Sequence, residues 1–366
     1  MRRPSRARPS VTFDASPNIA LVKYWGIRDR DLALPYNSSF SVTLGRLRTR
    51  TTVRFDPTLD DDRIVLNGTP ATGPPREHVA RFLDRVRRLA GMSDRADVRT
   101  ENNFPTASGL ASSASGFAAL AGAAAPAAGL SLSDRELSQL ARFGSGSACR
   151  SVFGGFVEWQ AGHRADGRDC FAHPAFGPDH WPELVDLVLL VRSAPVKAVR
   201  SADAMQWTVR TSEYYPARLA EVPARLRRIR AAIGARRADR LFPAVMEECD
   251  SFRRACETTT PPLDYLTLDS RAILDAVREE NRTAGHPIAA YTHDAGAHVH
   301  VFTLDRHVAQ LRRRLGGIDG VERTLVVRPG PGGRTVAGAP RNRRVRGRAG
   351  RTRGTGARGR SRRSAR

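Results

Sequence analysis

The pattern of apolar and polar residues along the chain predicts strands first and helices later. Residues 11–25 (VTFDASPNIALVKYW) indicate a strand, a turn and a second apolar segment. Residues 48–55 and 62–68 alternate in the manner of paired strands, with a turn at Asn67-Gly68. A helix is predicted from Arg76 to Ala90, because apolar residues recur there at helical spacing and Gly91 offers a stop. Its predicted apolar positions are Val79, Phe82, Leu83, Val86 and Leu89.

The rest of the chain continues the mixture without regular alternation of strand and helix. Ser133 stands three residues before Glu136, the spacing of a capping box, which predicts the start of a second helix. Further helices are predicted at 201–215, 226–240 and 270–281, and strands at 183–191, 289–296, 298–304 and 324–333. This order favours an α+β fold. We predict a basic extension at 1–10, domains at 11–190 and 191–338, and a tail at 339–366.

The charge of the chain lies largely at its two ends. The net charge is +23, but residues 1–10 hold four arginines and residues 341–366 hold twelve, with no acidic residue in either segment. The tail lacks apolar residues that could pack, so we expect it to be disordered. Two explanations stay open for it, a dispensable extension or a nucleic-acid-binding segment.

The four cysteines form neither a CxxC pair nor a zinc spacing, and no apolar run approaches the length of a membrane span. No secretory leader is recognisable. These observations predict a reduced, cytoplasmic protein without a membrane partner.

Two segments rich in glycine and serine are candidates for phosphate binding. Residues 105–116 (PTASGLASSASG) precede a helix, where free backbone N–H groups attract anions, although a simple helix cap has the same composition. Residues 144–150 (GSGSACR) form a turn that ends in Arg150, whose guanidinium can grip a carboxylate or phosphate. The alternative for this second segment is a tight turn with a surface arginine.

Asp294 is a lone acid after a predicted strand, where it either accepts a proton from a substrate hydroxyl or caps a turn. His293, His298 and His300 lie close to it in sequence. Because alternating strand residues point to opposite faces and no cysteine completes a ligand set, we expect no metal ion bound by protein ligands.

Lysine is rare in this chain, which has 58 arginines and only two lysines, Lys23 and Lys197. A compact ammonium fits pockets that a planar guanidinium cannot enter. Either both lysines survive by chance, or both contact an anionic ligand.

Taken together, these segments resemble the mevalonate diphosphate decarboxylase family of the GHMP kinase superfamily. The matching segments follow one another in order: NIALVKYWGIRDRDLALPYNSSFSVTL, NNFPTASGLASSASGFAAL, SGSACRSVFGGFVEW, KAVRSADAMQWTVRTSEYY, YTHDAGAHVHVFTL and VVRPGPG. The likeness extends from about Val11 to Gly333. It implies a two-domain GHMP kinase fold, with a ribosomal-S5-like N-terminal domain and a ferredoxin-like C-terminal domain. It also implies a homodimer.

The resemblance implies ATP-dependent conversion of 5-diphosphomevalonate to isopentenyl diphosphate, with magnesium carried mainly by the nucleotide. Asp294 matches the catalytic aspartate, Arg150 the arginine that holds the substrate carboxylate, and Asn18 the residue that supports this arginine. Lys23 and Ser201 match further catalytic positions. The other implied substrate-binding residues are Tyr24, Trp25, Gly26, Arg76, Ser145, Gly146, Ser147, Ala148 and Cys149, and the implied ATP-binding residues are Gly109, Ser112 and Ser113.

The chain departs from the family pattern at five positions of these segments. The family usually has lysine where Ile27 stands, a small or hydroxyl residue at Arg200, a hydroxyl residue at Ala202, and DAGPN where Ala297 and His298 occur in DAGAH. Such changes can weaken diphosphate binding or shift substrate preference. The alternatives are therefore a phosphomevalonate decarboxylase, a GHMP small-molecule kinase, or a drifted homologue of low activity with a nucleic-acid-binding tail.

Overall fold

A computed structural model describes residues 8–104, 112–192 and 199–336. Gly109, Lys197 and the arginine-rich tail therefore lie outside the described residues. The strands are β1 (Val11–Ala15), β2 (Asn18–Val22), β3 (Ile27–Asp29), β4 (Leu34–Pro35), β5 (Ser39–Thr43), β6 (Thr49–Asp56), β7 (Arg63–Leu66), β8 (Thr69–Pro70), β9 (Arg95–Asn102), β10 (Phe156–Trp159), β11 (Ala172–Phe176), β12 (Leu184–Val191), β13 (Ala289–Thr292), β14 (Val299–Leu304), β15 (Val321–Val327) and β16 (Arg334–Thr335).

The helices are α1 (Gly73–Ala90), α2 (Ser112–Ala127), α3 (Asp134–Gly144), α4 (Ala148–Ser151), α5 (Ser201–Thr211), α6 (Tyr215–Gly234), α7 (Ala238–Glu257), α8 (Leu268–Ala284) and α9 (Asp305–Gly316). A short 3-10 helix covers Pro178–His180. In the part of the chain that the structure describes, we find no helix that is both long and apolar enough to cross a membrane.

The N-terminal half contains two large sheets with helices packed against them, besides the two-stranded sheet of β3 and β4. The first has the strand order β16-β1-β6-β9-β7-β8 and the second has the order β11-β10-β5-β2. Helix α2 consists mainly of alanine and small residues and is buried almost completely against the first sheet. A side chain at Gly122 would collide with Phe13 of β1, at 2.5 Å, so this close approach requires a glycine.

The C-terminal half is built on one antiparallel sheet with the order β13-β14-β12-β15. Helices α5–α8 separate β12 from β13, and α9 separates β14 from β15. This arrangement is the ferredoxin-like β-α-β-β-α-β pattern with extra helices in its first crossover. The α+β class and the ferredoxin-like C-terminal domain predicted from the sequence are therefore confirmed.

The strands at the two ends of the C-terminal half pair in different sheets. Strand β12 belongs to the C-terminal sheet and already begins at Leu184. Conversely, β16 returns to the N-terminal sheet and pairs with β1, Phe13 facing Thr335. Residues 184–191 therefore pair within the C-terminal sheet, and residues 334–335 pair within the first N-terminal sheet.

Local signals in the sequence predicted two helix ends correctly and one strand pairing wrongly, and the predicted helix 226–240 is interrupted between α6 and α7. Ser133 and Glu136 form the capping box at the start of α3, and Gly91 ends α1 in the left-handed conformation. The segment 62–68 does turn at Asn67-Gly68, but β7 pairs in parallel with β9 and not with β6. Leu89 was expected on the buried face of α1 and is 57% exposed, because this face ends one turn earlier.

Candidate active site

A large cleft lies between the two domains and gathers most of the predicted site residues. Its volume is about 1040 Å³, which is at the upper end of the range for small-molecule sites. Its floor is formed by the residues that follow β2 and β13, and its walls by α1, the turn between α3 and α4, and the start of α5. Both domains therefore contribute to one site.

An ion pair between the domains lies on the floor of this cleft. Lys23 follows β2, and its Nζ atom is 2.8 Å from Oδ1 of Asp294, which follows β13. The ammonium also donates to the carbonyl oxygen of Ala20 at 2.7 Å. The Lys23 side chain is 3% exposed and that of Asp294 is 30% exposed, so only the carboxylate is open to a ligand.

The surroundings of Asp294 keep this carboxyl group ionised. Burial raises its pKa, but the charge and hydrogen bond of Lys23 and the more distant His300 and Arg150 outweigh burial, so the pKa lies below the usual value. An ionised carboxylate at the cleft floor can accept a hydrogen bond or a proton from a hydroxyl group.

Arg150 presents a buried cation to the same cleft. Its Nε donates to Oδ1 of Asn18 at 3.0 Å and its Nη1 donates to Oγ of Ser39 at 2.7 Å, both neutral partners. The side-chain amide of Asn18 donates in turn to Oγ of Ser151 at 2.8 Å. No carboxylate among the described residues lies within ion-pairing distance of Arg150. Burial lowers the pKa of this guanidinium, so an anionic ligand would stabilise its charge.

The glycine-serine turn between α3 and α4 brings hydroxyl groups beside Arg150. Ser145, Gly146 and Ser147 all line the cleft, and a side chain at Gly146 would collide with the ring of Tyr24 at 2.6 Å. Oγ of Ser145 lies 3.4 Å from Oγ of Ser113 at the start of α2. The turn at residues 145–147, which follows the capping-box helix α3, is thus next to α2, the helix that begins within the glycine- and serine-rich segment 105–116.

A buried ionic network fixes Lys23 from behind. Oε1 of Glu248 in α7 accepts hydrogen bonds from the backbone N–H of Lys23 at 3.0 Å and from Nη2 of Arg218 at 2.5 Å. Its other oxygen accepts from Nη1 of Arg225 at 3.2 Å. Glu248 and Arg218 have fully buried side chains, so each needs the opposite charge of the other to offset its loss of contact with water.

The predicted site residues among the described ones fall into those that line the cleft, those that lie behind it, and Arg76, which lies away from it. Those that line the cleft are Lys23, Tyr24, Trp25, Ser113, Ser145, Gly146, Ser147, Arg150, Ser201 and Asp294. Those that lie behind it are Asn18, Gly26, Ala148 and Cys149, together with Ser112 at the first position of α2. Gly26 has a φ of +102°, and a side chain there would lie 1.8 Å from the hydroxyl oxygen of Tyr215, which explains the glycine by packing.

The structure does not bring Arg76 into the cleft. This arginine was expected to contact the substrate diphosphate, but its guanidinium forms an ion pair with Asp61. His78, two residues further along α1, lines it instead. The reason is that the face of α1 towards the cleft passes through residues 78, 81, 85 and 88, whereas residue 76 points towards the loop before β7.

A set of cations that the sequence did not point to lines the cleft. Arg30, Arg81, Arg85, Arg88, Arg142 and Arg200 all line it. The available signal was the spacing of Arg81, Arg85 and Arg88 at helical intervals beside the apolar face of α1. In a chain with 58 arginines, this spacing has little weight without the structure.

Three histidines lie behind Asp294, and two of them have a strongly lowered pKa. Burial, helped by Lys23, lowers the pKa of His293 to about 4, and burial, helped by His300, lowers the pKa of His298 to about 4. Nδ1 of His298 accepts the backbone N–H of Val191 at 3.1 Å, and His300 contacts Asp186 at 2.7 Å. Among the described residues, no cluster of three metal-binding side chains occurs.

We expect the His298→Asn variant to lose less stability than the wild type between pH 7.5 and pH 5. The unfolded chain protonates this histidine below about pH 6.5 and the folded chain does so only near pH 4, so stability falls with pH in this window. The contribution of one such histidine at pH 5 is about 2 kcal/mol. Urea unfolding of both proteins at the two pH values measures the difference, and equal losses would contradict the assignment.

The fold and the site together define a class of protein. A ferredoxin-like domain packed on an α/β domain, with glycine-serine turns and a carboxylate in the cleft between them, is the architecture of the GHMP kinase superfamily. Two family models match the chain: the diphosphomevalonate decarboxylase-like N-terminal domain over residues 15–172 and the mevalonate 5-diphosphate decarboxylase C-terminal domain over residues 187–319. The chain belongs to the mevalonate diphosphate decarboxylase family.

Individual relatives are similar to this chain over most of its length. The diphosphomevalonate decarboxylase of Bos taurus is 44% identical over 316 residues, which cover 82% of this chain and 78% of the relative. The solved structure of MDDEF in complex with MVAPP, AMPPCP and magnesium is 37% identical, with a TM-score of 0.84 over 90% of this chain and 99% of that one. The crystal structure of mevalonate diphosphate decarboxylase from Staphylococcus aureus is 34% identical, with a TM-score of 0.84 over 90% of this chain and 98% of that one.

Proposed function

We propose that this protein catalyses the ATP-dependent decarboxylation of (R)-5-diphosphomevalonate to isopentenyl diphosphate, releasing ADP, phosphate and CO2 in the mevalonate pathway. The observation that carries the proposal is the meeting of Asp294, Lys23 and Arg150 in one cleft between the domains. The relatives named above carry this activity in their names, and MDDEF binds MVAPP and an ATP analogue.

Asp294 and Lys23 would act on the tertiary hydroxyl group of the substrate. The ionised Asp294 accepts the hydroxyl proton while the oxygen attacks the terminal phosphorus of ATP, so an O–P bond forms and ADP leaves. Lys23 holds Asp294 in place through the 2.8 Å contact. Ser201 lines the cleft at the start of α5, where we assign it to the transferred phosphate.

Arg150 would hold the substrate carboxylate during the second half of the reaction. The C–O bond to the new phosphate breaks, the C–C bond to the carboxylate breaks, and its electron pair forms the double bond of isopentenyl diphosphate. Because Asn18 and Ser39 fix Arg150, the carboxylate is oriented before bond cleavage, at little further entropic cost.

The cleft suits a nucleotide with bound magnesium. Ser113 at the start of α2 would contact the ATP phosphates, and magnesium would neutralise their charge when bound. Of the described residues that line the cleft, two are carboxylates, Asp31 and Asp294, which agrees with a metal ion that the nucleotide carries. Gly109 would complete this phosphate loop.

A substrate panel tests the proposal. The protein is incubated with ATP and mevalonate, 5-phosphomevalonate or 5-diphosphomevalonate, each labelled in the carboxyl carbon, and ADP and CO2 are measured separately. We expect equal amounts of ADP and CO2 from 5-diphosphomevalonate. ADP without CO2 would identify a small-molecule kinase, and a higher kcat/KM for 5-phosphomevalonate would identify the monophosphate decarboxylase.

The remaining expectations rest on the sequence and the resemblance. A homodimer, a cytoplasmic location and nucleic-acid binding by residues 341–366 stay hypotheses about partners, and none of them enters the reaction described above. The division of the chain into a basic extension (1–10), two domains (11–190 and 191–338) and a tail (339–366) is likewise kept as a hypothesis.

A further inference from the structure

The arginines of helix α1 fall into two groups with different surroundings. Arg76 pairs with Asp61, and Arg87 pairs with Asp62 and Asp84. Arg81, Arg85 and Arg88 line the cleft instead, and among the described residues none of these three has a carboxylate partner. Unpaired guanidinium groups on one face of a cleft repel one another, which favours an anion between them.

Not all of these cations are free to move towards a ligand. The guanidinium of Arg85 stacks on the ring of Phe143, with its central carbon 3.1 Å from the ring centroid. Arg142 is buried and donates to the carbonyl oxygens of Leu32 and Cys170. Arg81 and Arg88 are exposed and make no such contact. Of these two, Arg81 is the one whose charge acts on His78 in the cleft, so it is the α1 cation that a ligand at this wall can recruit.

The opposite wall combines an apolar side chain, Ile27, with a second exposed cation, Arg200. Ile27, where the family usually has lysine, is 7% exposed and packs with Met205 and Phe252, so it brings no charge. Arg200 precedes α5 and its side chain is 68% exposed, with Nε 2.9 Å from Oδ2 of Asp203.

Asp203 does not neutralise this second wall. Its other oxygen, Oδ1, accepts from Nη2 of Arg30 at 2.5 Å, so one carboxylate is shared between two guanidinium groups that both line the cleft. The two walls are also close enough to act on one group between them. Burial lowers the pKa of His78, and the charges of Arg81 and Arg200 lower it further.

We propose that Arg81 and Arg200 form a two-sided clamp for the diphosphate of the substrate, and that this clamp replaces the ammonium group missing at residue 27. The inference rests on the proposed function, because it assigns the diphosphate end of the same substrate. A guanidinium group offers two parallel N–H donors to a phosphate, whereas an ammonium makes a point contact. Two guanidinium groups from opposite walls therefore match a group that carries two phosphates.

The clamp predicts that this chain binds a diphosphate more tightly than a monophosphate. Arg150 is fixed by Asn18 and Ser39 on the cleft floor, where it serves the carboxylate end of the substrate. Arg81 and Arg200 are exposed and come from different domains, so they reach a ligand that extends from the floor towards the mouth. A monophosphate would leave one of the two cations without a partner.

Steady-state kinetics of Arg81→Ala and Arg200→Ala test the clamp. We expect each change to raise KM for 5-diphosphomevalonate by about 10- to 100-fold, the loss typical of a charge-assisted hydrogen bond, with KM for ATP changed less than threefold. Arg227→Ala on α6 is the matched control, since Arg227 is exposed and lies away from the cleft. An ATP KM that rises more than the substrate KM would assign these arginines to the nucleotide and overturn the proposal.

A rescue variant makes the test specific to residue 27. We expect Ile27→Lys combined with Arg200→Ala to recover most of the lost affinity for 5-diphosphomevalonate, because it restores a cation to the same wall. If Ile27→Lys does not lower KM for 5-diphosphomevalonate in the Arg200→Ala background, the clamp does not replace an ammonium group at residue 27. Thermal unfolding of each variant verifies that the fold is intact.

Calorimetric titration with inorganic pyrophosphate separates this inference from the proposed function. Weaker pyrophosphate binding by Arg81→Ala and Arg200→Ala, with Arg227→Ala unchanged, supports the clamp even if the wild type converts none of the mevalonate phosphates. Equal pyrophosphate binding by all four proteins, together with normal turnover of 5-diphosphomevalonate, would remove the clamp and leave the proposed function intact.

Discussion

The Asp294→Asn variant is expected to lower kcat for CO2 release by a factor of about 10²–10⁴, the usual contribution of a positioned acid-base group. Asparagine has the same shape and still offers Lys23 an oxygen in place of the carboxylate that lies 2.8 Å from Nζ, so the cleft should stay intact. What is lost is the group that accepts the hydroxyl proton. ADP formation should fall in parallel with CO2 release, because phosphoryl transfer precedes decarboxylation.

A control and a pH profile make this prediction specific. Asp275→Asn on α8 removes an exposed carboxylate that pairs with Arg278, and we expect its kcat to equal that of the wild type. The pKa of Asp294 is lowered, and its ionised form is the active one. The acid limb of the pH profile of kcat should therefore have its midpoint below about 3.9, the ordinary pKa of an aspartate. A kcat within threefold of the wild type in Asp294→Asn would remove Asp294 from the proposed chemistry.

The Glu248→Ala variant is expected to lose about 3–5 kcal/mol of unfolding free energy, the cost of breaking a buried ion pair. Its carboxylate is the fully buried partner of Arg218 and also contacts Arg225, so its removal leaves buried positive charge without compensation. The backbone N–H of Lys23 loses its acceptor as well. Urea unfolding followed by tryptophan fluorescence measures the loss.

The neighbouring residue provides the matched control for this second prediction. Glu247 also contacts Arg225, but its side chain is 46% exposed, so water can replace the contact. We expect Glu247→Ala to cost less than about 1 kcal/mol. Similar losses in both variants would show that burial does not set the value of Glu248.

The correct predictions came from residues close together in the chain, and the wrong ones concerned contacts between distant segments. Ser133 and Glu136 predicted a helix start correctly because both hydrogen bonds of the capping box form within four residues. The pairing of 48–55 with 62–68 was wrong because strand β9 inserts between them, and nothing local to the two segments indicates a third partner. Arg76 was expected in the cleft. Its position on α1 instead directs its side chain away from the cleft, where it pairs with Asp61.

The sequence also could not distinguish the arginines of the cleft from the others. Arg81 and Arg87 lie on the same helix and have the same chemistry, but only Arg87 faces carboxylates. The same limit applied to Glu248, whose importance depends on three groups from distant parts of the chain.

By itself, the sequence determined the helix caps, the α+β class and the ordered motifs that define the family, because these depend on periodicity and on residues close together in the chain. The tertiary structure alone decided which charges meet. Lys23 and Asp294 are 271 residues apart and Lys23 and Glu248 are 225 apart, yet each pair forms a direct contact. The strength of a charge depends on its burial and its partners, and both are fixed only when the two domains pack together.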